Sequence, residues 1–157
     1  MRARTTEAQI LTDIMLAIFK INGRLLASGD KLSAPLGLTS ARWQVLGAIA
    51  QANGARTVPQ IADEMGMTRQ GAQKQVNLLE ADGLVTVSDN PRHKRSPLYR
   101  LTPIGQSTYN SINILHTGWA NALAVGLDSA KLKTALDCLI ALDERLGTVD
   151  PNEGHGL

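Results

Sequence analysis

Two short amphipathic segments joined by a turn at Gly66, Met67 and Thr68 occupy residues 57–83, and this pattern constrains the fold more than any other in the chain. Thr57 can cap the first helix, "VPQIADEMG", which Gly66 ends. The second helix, "RQGAQKQVNLLEADG", ends at Gly83. A helix pair with so short a connection is expected to pack at a steep angle around shared apolar residues. The predicted core positions are Ile61, Ala62 and Met65 in the first helix and Ala72, Val76 and Leu79 in the second.

A β-hairpin with a basic tip is predicted directly after these two helices. The segments "LVTVSD" at 84–89 and "LYRLT" at 98–102 are rich in apolar and β-branched residues, so we expect them to pair as strands. A helix pair followed by such a hairpin describes a winged helix-turn-helix, a mainly α fold with a small β-hairpin. Residues 90–97 form the tip, or wing, which carries Arg92, His93, Lys94 and Arg95.

The second helix presents a polar, basic face opposite its apolar one. The major groove of DNA offers acceptors on guanine, which suit Arg69, and paired donor and acceptor sites on adenine, which suit Gln70 and Gln73. Lys74 can reach phosphate, and Thr68 stands at the helix start, where free N–H groups favour an anion. The predicted DNA-contacting residues are Thr68, Arg69, Gln70, Gln73, Lys74, Asn77, Arg92, His93, Lys94 and Arg95.

Each basic feature taken alone is typical of ordinary solvated surface, but the helix face and the basic hairpin together favour double-stranded DNA as the partner. The alternative is a winged-helix protein-interaction module without DNA binding, which an apolar or acidic helix face would indicate. An enzyme is not expected, because the chain has no Cys-His pair, metal-ligand spacing or Gly-rich phosphate loop. We therefore predict no catalytic residue, no metal site and no cofactor.

Three stretches resemble the core of the MarR family of transcriptional regulators, over roughly residues 36–106. They are "LTSARWQVLGAIA", "TVPQIADEMGMTRQGAQKQVNLLEADGLV" and "DNPRHKRSPLYRLTPIG". Leu101, Thr102 and Gly105 match the Leu-Thr-x-x-Gly element that follows the hairpin in this family. Arg95 matches the wing arginine, which in the family enters the minor groove. The resemblance implies a sequence-specific regulator, and we expect a repressor of nearby genes.

His93 departs from the family pattern, because an aspartate that braces the wing is common at this position. What braces the wing here is therefore an open question. His93 can still donate to phosphate, and the rigid Pro91 and Pro97 can hold part of the loop.

The helices predicted at both ends of the chain, about 6–28 and 104–146, carry wider apolar stripes than a small winged domain can cover. The resemblance implies that they are dimerisation helices of an obligate homodimer. Its two recognition helices would enter successive major grooves of a pseudo-palindromic operator, about 10 bp apart. The predicted architecture is one domain over 1–147 followed by a disordered tail at 148–157.

Several local predictions complete this picture. Residues 29–40 contain two glycines and a proline and read as a loop, after which Thr39 or Ser40 caps the next helix. Asp128 or Ser129 caps the last helix. Cys138 is predicted to be a buried structural thiol. The apolar positions that the last helix is expected to bury are Leu132, Leu136, Leu139 or Ile140, and Leu142 or Leu146.

MarR-family members often bind small anionic or phenolic molecules between the dimerisation helices and the DNA-binding lobe. In this chain the corresponding region contains Ile18, Asn22, Trp43 and His116. Two of these have simpler explanations, since Trp43 suits the core and His116 suits a helix surface or interface. The sequence itself does not identify an effector.

Composition indicates whether the chain can form a core, cross a membrane or contain a disulfide. Hydrophobic residues make up 43% of the chain and charged residues 19%, enough to bury a core, and no apolar run is long enough to cross a membrane. Cys138 is the only cysteine, so no intrachain disulfide can form. With no secretory pattern at the N-terminus, these features predict a cytoplasmic protein.

Overall fold

A computed structural model describes residues 4–52 and 54–150, which form six α-helices and one antiparallel pair of strands. The mainly α winged-helix fold predicted from the sequence is thereby confirmed. A 3-10 turn at Ala34–Leu36 follows the first helix. In chain order the elements are α1 Thr6–Ser33, α2 Ser40–Ala50, α3 Val58–Glu64, α4 Arg69–Ala81, β1 Val85–Ser88, β2 Leu98–Leu101, α5 Pro103–Ala124 and α6 Ser129–Leu146.

Side-chain caps begin the helices where hydroxyl or carboxylate residues precede an apolar run. Thr5, Thr39 and Asp128 accept backbone N–H groups at the starts of α1, α2 and α6, which decides between the alternatives left open for α2 and α6. Thr57 forms a full capping box at α3. Hydrogen bonds from its own backbone N–H and from Thr5 lower the pKa of the exposed Glu7.

The first helix is longer than predicted, because the stretch expected to be a loop continues α1 to Ser33. Tertiary contacts explain the difference. Gly29 packs so closely on α2 that a Cβ there would lie 2.6 Å from the Ser40 hydroxyl. The Asp30 carboxylate accepts the Ser40 N–H at 2.7 Å. Buried Ser33 lies 2.7 Å from the Gly29 carbonyl, so its polar group is satisfied within the helix.

The core of the winged domain is built by α2, α3, α4 and the hairpin around aliphatic side chains. Its largest fully buried members include Leu46, Ile49, Ile61 and Leu79. The predicted core positions of the helix pair are buried, except Met65, which is half-buried against the same cluster. The full cluster of buried residues is Leu38, Val45, Leu46, Ala48, Ile49, Val58, Ile61, Ala62, Ala72, Val76, Leu79, Leu84, Val85 and Tyr99.

The Leu-Thr-x-x-Gly element joins the hairpin to α5 through hydrogen bonds to two neighbouring carbonyl groups. Thr102 donates its N–H to the Leu84 carbonyl at 3.0 Å and its hydroxyl to the Gly83 carbonyl at 2.7 Å. The same hydroxyl oxygen accepts the Gly105 N–H at 3.0 Å. A Cβ at Gly105 would overlap the Leu84 carbonyl, so only glycine allows α5 to start this close to the sheet.

The hairpin has a third backbone partner that the sequence did not predict. β1 and β2 pair from Val85–Leu101 to Ser88–Leu98. On its other edge β2 bridges to Arg56, with Arg56 N to Tyr99 O at 3.0 Å and Tyr99 N to Arg56 O at 2.8 Å. The wing strand is therefore held from both sides at Tyr99.

The described residues from Gly118 onward form a second compact unit, and those up to Thr117 form the first. Within the second unit, α6 buries none of its side chains in the single chain, and only Leu142 is half-buried. The prediction that Cys138 is a buried thiol is therefore wrong for the single chain, where it is exposed. The predicted burial of the α6 leucines likewise does not occur in the single chain.

None of the described helices is long and apolar enough to cross a membrane. The predicted disordered tail is only partly described: Thr148 and Val149 donate backbone N–H groups to the Arg145 carbonyl, and residues 151–157 lie outside the described residues. The extent of the domain, 1–147, stays a prediction.

Candidate nucleic-acid interface

The second helix of the helix-turn-helix, α4, divides cleanly into a buried face and an exposed face. Ala72, Val76 and Leu79 are fully buried and fix the rotation of the helix about its axis. The opposite face is polar and basic over more than two turns, and no acid interrupts it before Glu80. Its exposed residues are Arg69, Gln70, Gln73, Lys74 and Asn77.

Thr68 caps α4 and leaves one donor free. Its Oγ1 accepts the Gly71 N–H at 2.9 Å, which places the oxygen at the helix start. A hydroxyl also carries one donor, and the described hydrogen bonds do not engage it. The exposed Thr68 hydroxyl can therefore donate to a phosphate while the cap stays intact.

A side-chain network links α4 to the wing strand. Gln73 Nε2 donates to Asn77 Oδ1 at 2.7 Å and to Tyr99 Oη at 3.2 Å. Tyr99 lies in β2 and is only 4% exposed. The recognition helix and β2, the strand that leads out of the wing, therefore meet through a direct hydrogen bond.

The wing is braced by an asparagine that the sequence did not identify. Asn90 is 8% exposed, its Nδ2 donates to the Ser96 carbonyl at 2.8 Å, and its Oδ1 accepts the Arg92 N–H at 3.1 Å. Backbone bonds from His93 N to Asn90 O and from Ser96 N to His93 O close the turn. Asn90 thus supplies the bracing that the family pattern assigns to a carboxylate, and the side chain of His93 is exposed.

The four basic wing residues, 92–95, are exposed. Within 4–52 and 54–150 the ion pairs are Arg42–Asp82 at 2.9 Å and Arg56–Glu64 at 3.3 Å. In both pairs an acidic residue near the helix-turn-helix is neutralised by an arginine that is not among the predicted DNA-contacting residues. The basic side chains of α4 and the wing are consequently not neutralised by described acids.

A cleft of about 600 Å³ separates the wing tip from the first turn of α3. The Asn90 hydrogen bonds to the Ser96 carbonyl and the Arg92 N–H hold the wing turn on one side of this cleft. The residues that line the cleft are Ala55, Thr57, Pro59, Gln60, Asn90, Pro91, Arg92, His93, Ser96 and Leu98.

The four residues predicted near an effector are only partly brought together. Trp43 and His116 make an edge-to-face contact, with ring centroids 5.1 Å apart and planes inclined by 60°. Both rings are half-buried, as is Ile18, whereas Asn22 is exposed. The effector site stays a prediction. Among the described residues, no group of three or more His, Cys, Asp or Glu side chains is placed to hold a metal ion.

Three residues of this surface were missed in the sequence: Arg56, Asn90 and Tyr99. The Asn-Pro dipeptide at 90–91 is a turn signal, and an asparagine before a turn often bonds the backbone two residues on, so Asn90 could have been found. Arg56 and Tyr99 carry no such local signal. Their pairing depends on tertiary contact between segments more than forty residues apart in the sequence.

Comparison with known proteins agrees with the resemblance to the MarR family described from the sequence. The model of the MarR family matches residues 36–96. An uncharacterized protein of Mycobacterium tuberculosis is 38% identical over 122 residues, which span 78% of this chain and 84% of that protein.

Many solved structures share the fold, among them AbsC and CouR. AbsC, a MarR family transcriptional regulator from Streptomyces coelicolor, aligns with a TM-score of 0.77 and 19% identity over 95% of this chain and 100% of its own. CouR from Rhodococcus jostii RHA1, bound to p-coumaroyl-CoA, aligns with a TM-score of 0.74 and 21% identity over 83% of this chain and 91% of its own.

Proposed function

The chain belongs to the MarR family of transcriptional regulators, and on that premise we propose that it represses nearby genes as a homodimer bound to a pseudo-palindromic operator. The observation that carries the proposal is the hydrogen bond between Gln73 of α4 and Tyr99 of β2. It joins the exposed polar face of α4 to β2, the strand that leads out of the braced basic wing. A winged helix needs both the helix face and the wing to contact a major groove and the adjacent backbone together.

The residues of this surface divide into two roles. Arg69, Gln70 and Gln73 carry the donors and acceptors that match base edges in the major groove. Lys74, Arg92 and Lys94 supply charge for phosphates and fix the position of the protein on the duplex. Thr68, Asn77 and His93 are polar groups at the edge of the same contact, and Arg95 extends from the wing toward the minor groove.

A homodimer accounts for apolar surface that the single chain leaves in water. On α1, Leu16 is 61% exposed and Phe19 is 74% exposed, and on α6, Leu136 is 56% exposed. Contiguous apolar faces of this length are unusual in a monomer and are typical of subunit interfaces. The symmetry of such a dimer places two copies of α4 on one operator about one helical turn apart.

Release from DNA by a small anionic or phenolic effector is the final part of the proposal. The contact between Trp43 of α2 and His116 of α5 supports it, because two half-buried rings offer a partly apolar wall to such a ligand. The relative CouR is bound to p-coumaroyl-CoA, which contains both a phenol and anionic groups. Ile18 and Asn22 on α1 complete the region where such a ligand would bind.

Hydroxyl-radical footprinting on the intergenic DNA upstream of the gene tests the dimeric arrangement. We expect two protected patches related by a dyad and separated by about 10 bp. One unsymmetrical patch would contradict the homodimer, and no protection would favour the alternative of a protein-interaction module. A reporter driven by the same DNA tests the direction of control: expression should rise when the gene is deleted, and a fall would indicate an activator.

A further inference from the structure

Tyr99 occupies a fixed position between the sheet and the recognition helix. It belongs to the buried core cluster, and its backbone pairs with Val87 in β1 and with Arg56 on the other edge. The ring therefore has little freedom to move. Its hydroxyl lies 3.2 Å from Nε2 of the exposed Gln73.

The amide of Gln73 is oriented by two acceptors at once. Its Nε2 carries two N–H donors, and these reach Asn77 Oδ1 at 2.7 Å and Tyr99 Oη at 3.2 Å. Both donors are engaged, so the group left to contact a ligand is the carbonyl oxygen, Oε1. No described hydrogen bond engages Gln73 Oε1. Asn77 shows the opposite arrangement: its Oδ1 accepts the bond from Gln73, and no described hydrogen bond engages its Nδ2 donors.

An acceptor held at this position can distinguish two classes of base. In the major groove, adenine N6 and cytosine N4 are amino donors, whereas guanine O6 and thymine O4 are keto acceptors. Oε1 can bond an amino group, but it meets a keto group as a second acceptor without a proton between them. A glutamine free to rotate would lose this discrimination, because it could turn its amide to either class.

We infer that Tyr99 is a positioning residue for base recognition: it fixes Gln73 with its carbonyl oxygen outward, so that each half-site prefers adenine or cytosine to guanine or thymine at one position. The inference rests on the proposed function and adds a specificity to it. One neutral hydrogen bond corresponds to a preference of about 3- to 10-fold between amino and keto bases.

Two conservative variants test this on DNA. A half-site is first selected from a randomised duplex library with the wild-type protein, and Gln73→Ala then identifies the position where Gln73 acts. At that position we expect Tyr99→Phe to reduce the amino-over-keto preference to less than about twofold, while affinity for random DNA stays within about twofold of wild type. Tyr109→Phe is the matched control, since Tyr109 is half-buried against the same core and its hydroxyl makes no described hydrogen bond.

The same proteins test the hydrogen bond without DNA. In a nitrogen–proton correlation spectrum, the side-chain amide signal that disappears in Gln73→Ala should be slow to exchange in the wild type. In Tyr99→Phe one of its two protons should shift and exchange faster, and in Tyr109→Phe neither should.

The outcomes separate the two proposals. An unchanged Gln73 amide in Tyr99→Phe overturns the positioning role whatever the protein does on DNA. Equal losses of affinity on all sequences also overturn it, because they indicate a purely structural tyrosine. Absence of any sequence preference in the wild type overturns the proposed function instead, and the amide spectrum still decides whether Tyr99 holds Gln73.

Discussion

Asn90→Ala removes the side chain that braces the wing, and the cost of this change can be worked out from two contacts. The variant loses the bond from Nδ2 to the Ser96 carbonyl at 2.8 Å and the bond from the Arg92 N–H to Oδ1 at 3.1 Å. At about 0.5–1.5 kcal/mol for each neutral hydrogen bond, the closed wing loses about 1–3 kcal/mol. Because the loop can open locally, the melting temperature should fall by less than this sum implies.

The lost stability of the closed wing should weaken DNA binding, because the variant must close its wing when it binds. If the wing must be closed to place Arg95, affinity falls by up to roughly 5- to 150-fold per wing. Fluorescence anisotropy with the selected operator measures this fall. Asn110→Ala is the matched control, because Asn110 is exposed on α5 and accepts a single bond from Gln106. It should bind as the wild type does.

A double-mutant cycle between Asn90→Ala and Arg95→Ala tests the mechanism itself. If Asn90 acts by placing Arg95, then Asn90→Ala should cost less in the Arg95→Ala background, with a coupling of at least about 0.5 kcal/mol. Strict additivity would show that the two residues act separately. Wild-type affinity in Asn90→Ala would refute the reasoning altogether.

Three further predictions concern stability, assembly and the groove contact. Gly105→Ala should destabilise the protein by about 1–3 kcal/mol or more in thermal unfolding, because its Cβ enters a backbone carbonyl. Gly118→Ala, in the same helix with no atom near its Cβ, should not destabilise the protein. Equal melting temperatures for Gly105→Ala and Gly118→Ala would contradict the prediction. Leu136→Lys should sediment as a monomer while Thr134→Lys stays dimeric, and a dimeric Leu136→Lys would remove α6 from the interface. Arg95→Ala should weaken operator binding by about 1–3 kcal/mol, and unchanged affinity would mean a solvated wing.

The helix-turn-helix could be predicted because its signals are local. Thr57 and Thr68 are followed by the N–H groups that they cap, and Gly66 and Gly83 adopt positive φ angles of 60° and 71° where the helices end. The apolar spacing of α4 then fixes which side faces the core. Such features require no knowledge of distant segments, so the sequence was sufficient.

The features that the sequence did not predict depend on contacts between distant segments or on which surfaces are left exposed. Gly29 breaks no helix because Ser40 packs against it, and Tyr99 gains its role only when β2 meets α4. Cys138 lies on an apolar face that is exposed in the single chain, and periodicity alone could not show this. In the candidate site, the exposed polar residues could be predicted, and the Asn-Pro turn signal points to Asn90, whereas the support from Tyr99 and Arg56 could not be predicted.

Salt-dependent binding to the upstream intergenic DNA tests the central claim most directly. If Lys74, Arg92 and Lys94 of both protomers contact phosphates, log K should fall against log salt with a slope of about −5 between roughly 50 and 200 mM. At about 100 mM salt, the operator should bind at least about 10³-fold more tightly than a shuffled duplex of equal length. Equal affinity for both duplexes, or binding that does not change with salt, would contradict the account of this chain as a sequence-specific DNA-binding regulator.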